Sequence, residues 1–270
     1  MVWWLFKKKK VGLVLGGGVA RGIAHIGVIK VLRSYEVPID YIAGTSAGSL
    51  IAAVYASGMD ISLLEEIVMR IKWSDFFKLT LFRPGFMSPE AIEEFVVKYI
   101  GDINFSDLKI PFAAVATDIR TGEKVILNKG QVARAVAASA TFPGVFAPEA
   151  LGGKYLIDGG IASNVPVDLA RQMGAEYVIA SDVIPEKSIR VLPSEAMQVL
   201  GRSLDLILKK LHREEARRAD ALIELEMEGE DIWHLDLHKA KKLITAGEIA
   251  AHRLINRIRK DLRIRAGSRE

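Results

Sequence analysis

Ser46 sits at the centre of Gly44-Thr45-Ser46-Ala47-Gly48, a G-x-S-x-G pattern preceded by an apolar run and followed by the alanine-rich "AGSLIAAVYASGM". Strand, sharp turn and helix in that order lift a serine oxygen clear of the backbone, and small residues two places away on either side let strand and helix approach. The chemistry open to such a serine is nucleophilic attack on a carbonyl carbon. Upstream, "GLVLGGGVARGIAHIGVIKVL" reads as a strand, a glycine turn at Gly16, Gly17 and Gly18, and a helix with apolar Ile23, Ile26 and Ile29. Glycines there turn backbone N–H groups toward an anion, and the helix start adds partial positive charge. The anion could be a phosphate or a reaction intermediate. A dinucleotide fingerprint fails because its third glycine falls on Arg21, and a phosphate loop fails because Ile23 stands where lysine is needed. Oxyanion donors for Ser46 are the better use of the loop.

The proton of Ser46 needs an acceptor. His212, His234, His238 and His252 follow it in chain order, but they lie in charged helical sequence where surface exposure is the ordinary expectation. His25 lies in the glycine-loop helix and reads as a packed or hydrogen-bonded residue. Asp158 ends the apolar run of "YLIDGGIASNVPV" and is followed by Gly159 and Gly160. Its carboxylate would emerge at a tight turn, on the edge where active sites of parallel sheets gather. Taken alone, Asp-Gly-Gly is only a turn.

The elements that must hold these groups alternate. Short Val- and Ile-rich runs at Val11–Leu15, Ile39–Ala43, Phe112–Ala116, Tyr155–Ile157, Tyr177–Ala180 and Leu222–Leu225 read as strands, most of them separated by helical patterns. That order is expected to give an α/β sandwich with a largely parallel central sheet. "DIRTGEKVIL" reads as a hairpin turning at Thr121-Gly122, and Ser88-Pro89-Glu90 as a helix start. Between them, Trp73, Phe76, Phe77, Leu79, Leu81, Phe82 and Phe86 form either a buried connection or an apolar cap over a site. Of the 270 residues, 50% are hydrophobic and none is cysteine. Disulfides, thiolate metal sites and cysteine catalysis are therefore excluded, and a reducing compartment fits. No linker or repeat divides the chain, so residues 11–270 are expected to form one domain, with core motifs in 11–185 and a helical region in 193–270.

Basic residues gather at both ends. Lys239 to Glu270 carries ten Lys/Arg against three Asp/Glu, with Leu243, Ile244, Ala250, Leu254, Ile258 and Leu262 at helical spacing. This helix either docks on the domain with a solvated basic face or binds an anionic surface. In "MVWWLFKKKK", residues 1–10, Trp3 and Trp4 beside Lys7 to Lys10 suit a lipid interface or a short packed segment equally. The apolar part is too short to span a bilayer. No recognition motif supports nucleic acid as a partner.

"GGGVARG", "GTSAG" and "DGG", in that order and joined by "ASATFPGVFAP", resemble the bacterial patatin-like phospholipase family, relatives of the neuropathy target esterase catalytic domain. The resemblance runs from about Val11 to Pro185. It implies a three-layer α/β/α patatin-like sandwich with a mostly parallel sheet. It also implies a dyad without histidine or metal: Ser46 as nucleophile, Asp158 as base, and Gly16, Gly17 and Gly18 as the oxyanion hole. Arg21 matches the family's basic position after the loop, with Gly44, Gly48, Gly159 and Gly160 in support. The activity implied is hydrolysis of a lipid acyl ester, of phospholipase A, lysophospholipase or general carboxylesterase type, without a cofactor. The alternatives are a non-catalytic member of the fold that binds lipid or protein, and an esterase using a downstream histidine. A lipid or acyl-ester substrate and peripheral membrane contact are the implied partners, and the expected location is cytoplasmic, at the inner membrane surface. Oligomeric state is left open. One departure bears on the hole: Val19 stands where many bacterial members carry a fourth glycine. A valine there serves if its φ is negative and is strained if φ is positive.

Overall fold

The computed structural model describes residues 8–76, 78, 85–186, 190–226 and 231–264. The chain begins with β1 (Val11–Leu15), α1 (Ala24–Ser34), β2 (Tyr41–Thr45), α2 (Ala47–Ala56), α3 (Ile61–Val68) and α4 (Glu90–Ile100). It continues with β3 (Phe112–Asp118), β4 (Lys124–Leu127), α5 (Val132–Ser139), β5 (Glu149–Leu151) and β6 (Lys154–Asp158). Last come α6 (Val167–Gln172), β7 (Tyr177–Asp182), α7 (Ala196–Arg217), β8 (Ala221–Glu224) and α8 (Ala240–Leu262).

The strands form one sheet in the order β5-β6-β3-β2-β1-β7-β8, with β4 also on β3. From β3 to β8 every neighbour is parallel, and β4, β5 and β6 add antiparallel pairs at the other end. The sequence alternation accounts for the layering, because side chains on a strand face opposite ways in turn. Val11, Leu13 and Leu15 of β1 point into a core shared with α1, α2, α3 and α8, whereas Val14 joins Ala43, Val115, Val178 and Ala180 against Leu169 and Ala170 of α6 and Ala216 of α7. Helices therefore cover both faces, as expected for a mostly parallel α/β/α sandwich.

Five of the six strands differ at their ends from the sequence reading: β3 and β7 each run two residues further, to Asp118 and Asp182, β8 is Ala221–Glu224 in place of Leu222–Leu225, and β2 and β6 differ as follows. β2 starts at Tyr41, not Ile39, because the carboxylate of Asp40 receives the Val11 N–H (2.8 Å) and Lys10 Nζ (2.7 Å) and leads the chain into the sheet. The strand then runs on to Thr45, where Gly44 pairs with Leu15 and Thr45 with Val115. Tyr155–Ile157 is the middle of β6, whose hairpin with β5 turns at Gly152 and Gly153, both at positive φ. The hairpin at Thr121-Gly122 forms as read, and Ser88 Oγ accepts the Glu90 N–H at the start of α4 (3.3 Å). α8 lays Leu243, Ile244, Ala250 and Ile258 into the core against α1, with Leu254 and Leu262 half-buried. Among the described residues no helix is long and apolar enough to cross a membrane.

Candidate active site

Ser46 is the single residue between β2 and α2, at φ 52° and ψ −127°. A non-glycine residue holds such a conformation only when its surroundings fix it, at about 1–3 kcal/mol. Here several contacts do so. Its N–H donates to Ser139 Oγ (2.9 Å), whose own hydroxyl donates to the Val115 carbonyl (2.6 Å). Its carbonyl accepts the Ser49 N–H (2.8 Å) and the Ser49 hydroxyl (2.7 Å). Gly48 is required by close approach, since a Cβ there would lie 2.1 Å from the Leu15 carbonyl oxygen. Gly44 faces the backbone of Gly48 and Ser49 in the same way. With the backbone held, the Ser46 hydroxyl donates to Asp158 Oδ2 at 2.5 Å.

Asp158 ends β6. Its N–H donates to the Thr141 carbonyl and its carbonyl accepts from Thr117 Oγ1, each at 2.9 Å. Gly160 N–H donates to Asp158 Oδ1 (2.8 Å), and Gly159 sits where a Cβ would strike the Val115 carbonyl at 2.0 Å. Burial pushes the carboxyl up to about 6, against the smaller downward pull of the Ser46 hydroxyl and the Gly160 amide. A carboxylate so raised is a better proton acceptor near neutral pH than an exposed one.

None of the histidines in the described residues bonds to Ser46. His25 is fully buried, and burial lowers it to about 4, so it is neutral. Its Nε2–H donates to the Gly16 carbonyl (2.8 Å) and its Nδ1 accepts from Ser181 Oγ (2.9 Å), an assignment fixed by the carbonyl's inability to donate. His212 reaches the Ile161 carbonyl, His252 packs edge-on to Tyr35, and His238 is exposed. His234 lies near the site but pairs with Asp205 (3.1 Å).

The glycine loop differs from the expectation in its donors. Gly16 N–H donates to the Ser181 carbonyl (3.0 Å) and Gly17 N–H to the Asn164 carbonyl (3.2 Å), so both amides are engaged by the scaffold. The amides of Gly18 and Val19 have no acceptor among the described residues. Val19 has a φ of 50°, the strained alternative for a β-branched side chain. A network grips the loop just beyond it. Ala20 N–H donates to the His234 carbonyl (3.3 Å), and Arg21 N–H to the Gly18 carbonyl (3.1 Å). The Arg21 guanidinium bonds both carboxylate oxygens of Asp205 at 2.7 and 2.9 Å, with both side chains buried. Burial alone would raise the Asp205 carboxyl, but Arg21 and His234 outweigh it and hold it below its ordinary value. Arg21 thus acts on the loop and contacts neither Ser46 nor Asp158. Sequence reasoning missed Ser139, Asn164 and Asp205, which reach the site only through tertiary packing, and it read His234 as a surface residue, whereas packing against Asp205 and Arg21 buries it.

Ser46 lies between two cavities. One, of about 130 Å³, is apolar and includes Ile51, Val68, Trp73, Phe76, Ile92 and Phe142. The other, of about 30 Å³, includes Gly18, Asp158, Asn164, Asp205, Leu208 and His234. Trp73 and Phe76 therefore do cap an apolar space. Trp73 Nε1–H is anchored on the Leu235 carbonyl (2.7 Å), and the Phe76 ring packs at a tilt of 39° against Phe95. Phe86 instead is 76% exposed. Phe77, Leu79, Leu81 and Phe82 lie outside the described residues, as do Trp3, Trp4 and Lys7. No cluster of three or more His, Asp or Glu side chains among the described residues could hold a metal ion.

The model of the family described as patatin-like phospholipase matches residues 13–171, which carry Ser46, Asp158 and the glycine loop. The chain belongs to that family. Patatin-like phospholipase domain-containing protein 6 of Mus musculus is 36% identical over 181 residues, 64% of this chain and 13% of that protein. Lysophospholipase NTE1 of Scheffersomyces stipitis is 32% identical over 185 residues, 66% of this chain and 12% of that protein. The chain thus spans about an eighth of the length of these patatin-like relatives. Among solved structures, VipD of Legionella pneumophila superposes with a TM-score of 0.62 at 14% identity, covering 93% of this chain and 67% of that one. ExoU in complex with SpcU, of Pseudomonas aeruginosa, gives 0.54 at 15% identity, covering 96% and 54%. At such identities the two structures show the patatin-like fold and nothing finer.

Proposed function

We propose that the chain is a serine acyl-ester hydrolase acting on lipids, of phospholipase A or lysophospholipase type. The observation that carries this reading is the buried Ser46–Asp158 hydrogen bond of 2.5 Å, made by a serine on a strained strand-to-helix turn. In the reaction, Ser46 Oγ attacks the ester carbonyl carbon while Asp158 Oδ2 takes its proton. Negative charge develops on the carbonyl oxygen, and the amides of Gly18 and Val19, with the positive end of α2, stabilise it. Collapse expels the alcohol, which takes the proton back from Asp158, and leaves an acyl-enzyme. Asp158 then deprotonates water, whose attack on the acyl carbon releases the fatty acid and restores Ser46.

The apolar cavity beside Ser46 suits an acyl chain, and the smaller one, bordered by Gly18 and Asp158, adjoins the reacting oxygen. The relative named lysophospholipase supports a single-chain phospholipid as substrate class. We take residues 11–270 as one catalytic unit, a reading supported by β8 in the sheet and α8 on α1. A fluorophosphonate probe tests the reading. Wild type should be labelled on the peptide containing Ser46, and labelling should vanish in Ser46→Ala. An unlabelled wild type would leave a binding protein of the same fold.

A further inference from the structure

α7 is unusual among the helices of this chain. It runs for 22 residues, yet only Gly201, Asp205 and Ala216 are fully buried. On its outer side Val199 (50%), Leu200 (42%), Leu206 (56%), Ile207 (52%) and Leu211 (63%) are exposed. At 3.6 residues per turn these five fall within an arc of about 140°. Large apolar side chains seldom gather so on a solvated helix, and a contiguous set marks an interaction surface.

The charges on the same face indicate the partner. Lys210 lies within the arc and Arg202 about 40° outside it, and neither has an ion-pair partner among the described residues, whereas Lys209 and Arg213 nearby, and Arg217 with Glu214 inside the arc, are paired with carboxylates. Unpaired cations beside apolar side chains suit an anionic lipid surface. They do not suit a second copy of the chain. In a two-fold antiparallel pairing of α7 centred on Leu206, close to the middle of the helix, Arg202 of one copy would face Lys210 of the other. The inner side of the helix adds continuity with the site, since Leu204, Asp205 and Leu208 border the cavity that holds Asp158, and Asp205 grips Arg21 of the glycine loop.

We propose that the exposed face of α7 is the surface by which the protein docks on an anionic bilayer, presenting the mouth of the site to the lipid. The choice of a lipid surface rests on the hydrolase reading above, but the geometry of the face does not. Flotation with vesicles of ether-linked phosphatidylglycerol, which carry no ester to cleave, reads docking apart from turnover. Wild type should float with them, far less with ether-linked phosphatidylcholine, and less as salt rises. Leu206→Ser/Ile207→Ser/Leu211→Ser and Arg202→Glu/Lys210→Glu should each weaken binding at least tenfold, while turnover of a soluble short-chain ester stays within twofold of wild type. Failure of wild type to float, or equal flotation of both variants, would overturn the proposal. So would conversion of a dimer to a monomer by the apolar triple variant, which would assign the face to a second copy. If α7-dependent flotation survives but wild type hydrolyses no ester, the hydrolase reading falls and the docking surface stands.

Discussion

Asp158→Asn should abolish turnover and make the protein more stable, by an amount that depends on pH. The buried carboxyl is raised from 3.8 to about 6, so ionising it costs more in the folded chain than in the unfolded one. A gap of about two pH units, at about 1.4 kcal/mol each, amounts to about 3 kcal/mol. Well below pH 3.8 the group is protonated in both states and the cost is absent. It grows as pH rises from 4 to 6 and is fully present above, because the folded state is the one that holds the proton more tightly. Asparagine is neutral throughout and keeps an oxygen for the Gly160 N–H, with its amide turned toward Ser46. Urea unfolding of wild type and Asp158→Asn at pH 4 and pH 8 checks the argument. The variant should be more stable by about 3 kcal/mol at pH 8 and close to wild type at pH 4. A difference independent of pH, or a variant less stable at pH 8, would refute burial as the source of the raised carboxyl. The same group should make kcat/KM fall tenfold per pH unit below about 6, since only the carboxylate accepts the serine proton.

The loop offers two further tests. Val19→Gly removes the φ strain but also a half-buried side chain, so stability by thermal melting should change by no more than about 1 kcal/mol and ester turnover should persist. Val19→Pro removes the N–H and cannot reach positive φ, and turnover should drop by at least about 100-fold, the effect of losing one oxyanion donor. Asp205→Ala leaves the buried Arg21 guanidinium without its carboxylate and should cost about 3–5 kcal/mol in urea unfolding.

Much of the fold was legible because a parallel strand buried on both faces writes itself as a short apolar run, and the order of runs and helical patterns sets the layers. Ser46 and its glycines were legible for a local reason: Gly44 and Gly48 are demanded by contacts within a few residues of the turn or with the neighbouring strand. Asp158 was only a turn until the resemblance joined it to Ser46, since the two are 112 positions apart and meet through β3 and β6. Which amides of the glycine loop the scaffold leaves free was not legible. Gly16 and Gly17 look as free as Gly18 in sequence, and only the positions of the Ser181 and Asn164 carbonyls separate them. The same holds for Asp205, an ordinary helical aspartate until α7 packs it against Arg21. The exposed face of α7 was in the sequence as an amphipathic pattern, but periodicity alone does not tell which side is covered.

The central claim is that Ser46 and Asp158 together perform ester cleavage without histidine or metal. Its most direct test is turnover of a lysophospholipid and of a medium-chain p-nitrophenyl ester, in EDTA, by wild type, Ser46→Ala, Asp158→Asn and His234→Gln. Wild type should hydrolyse both esters, the first two variants should lose at least about 1,000-fold with their folds intact, and His234→Gln should stay active. Turnover near wild type in either dyad variant, or its loss only in His234→Gln, would contradict the account.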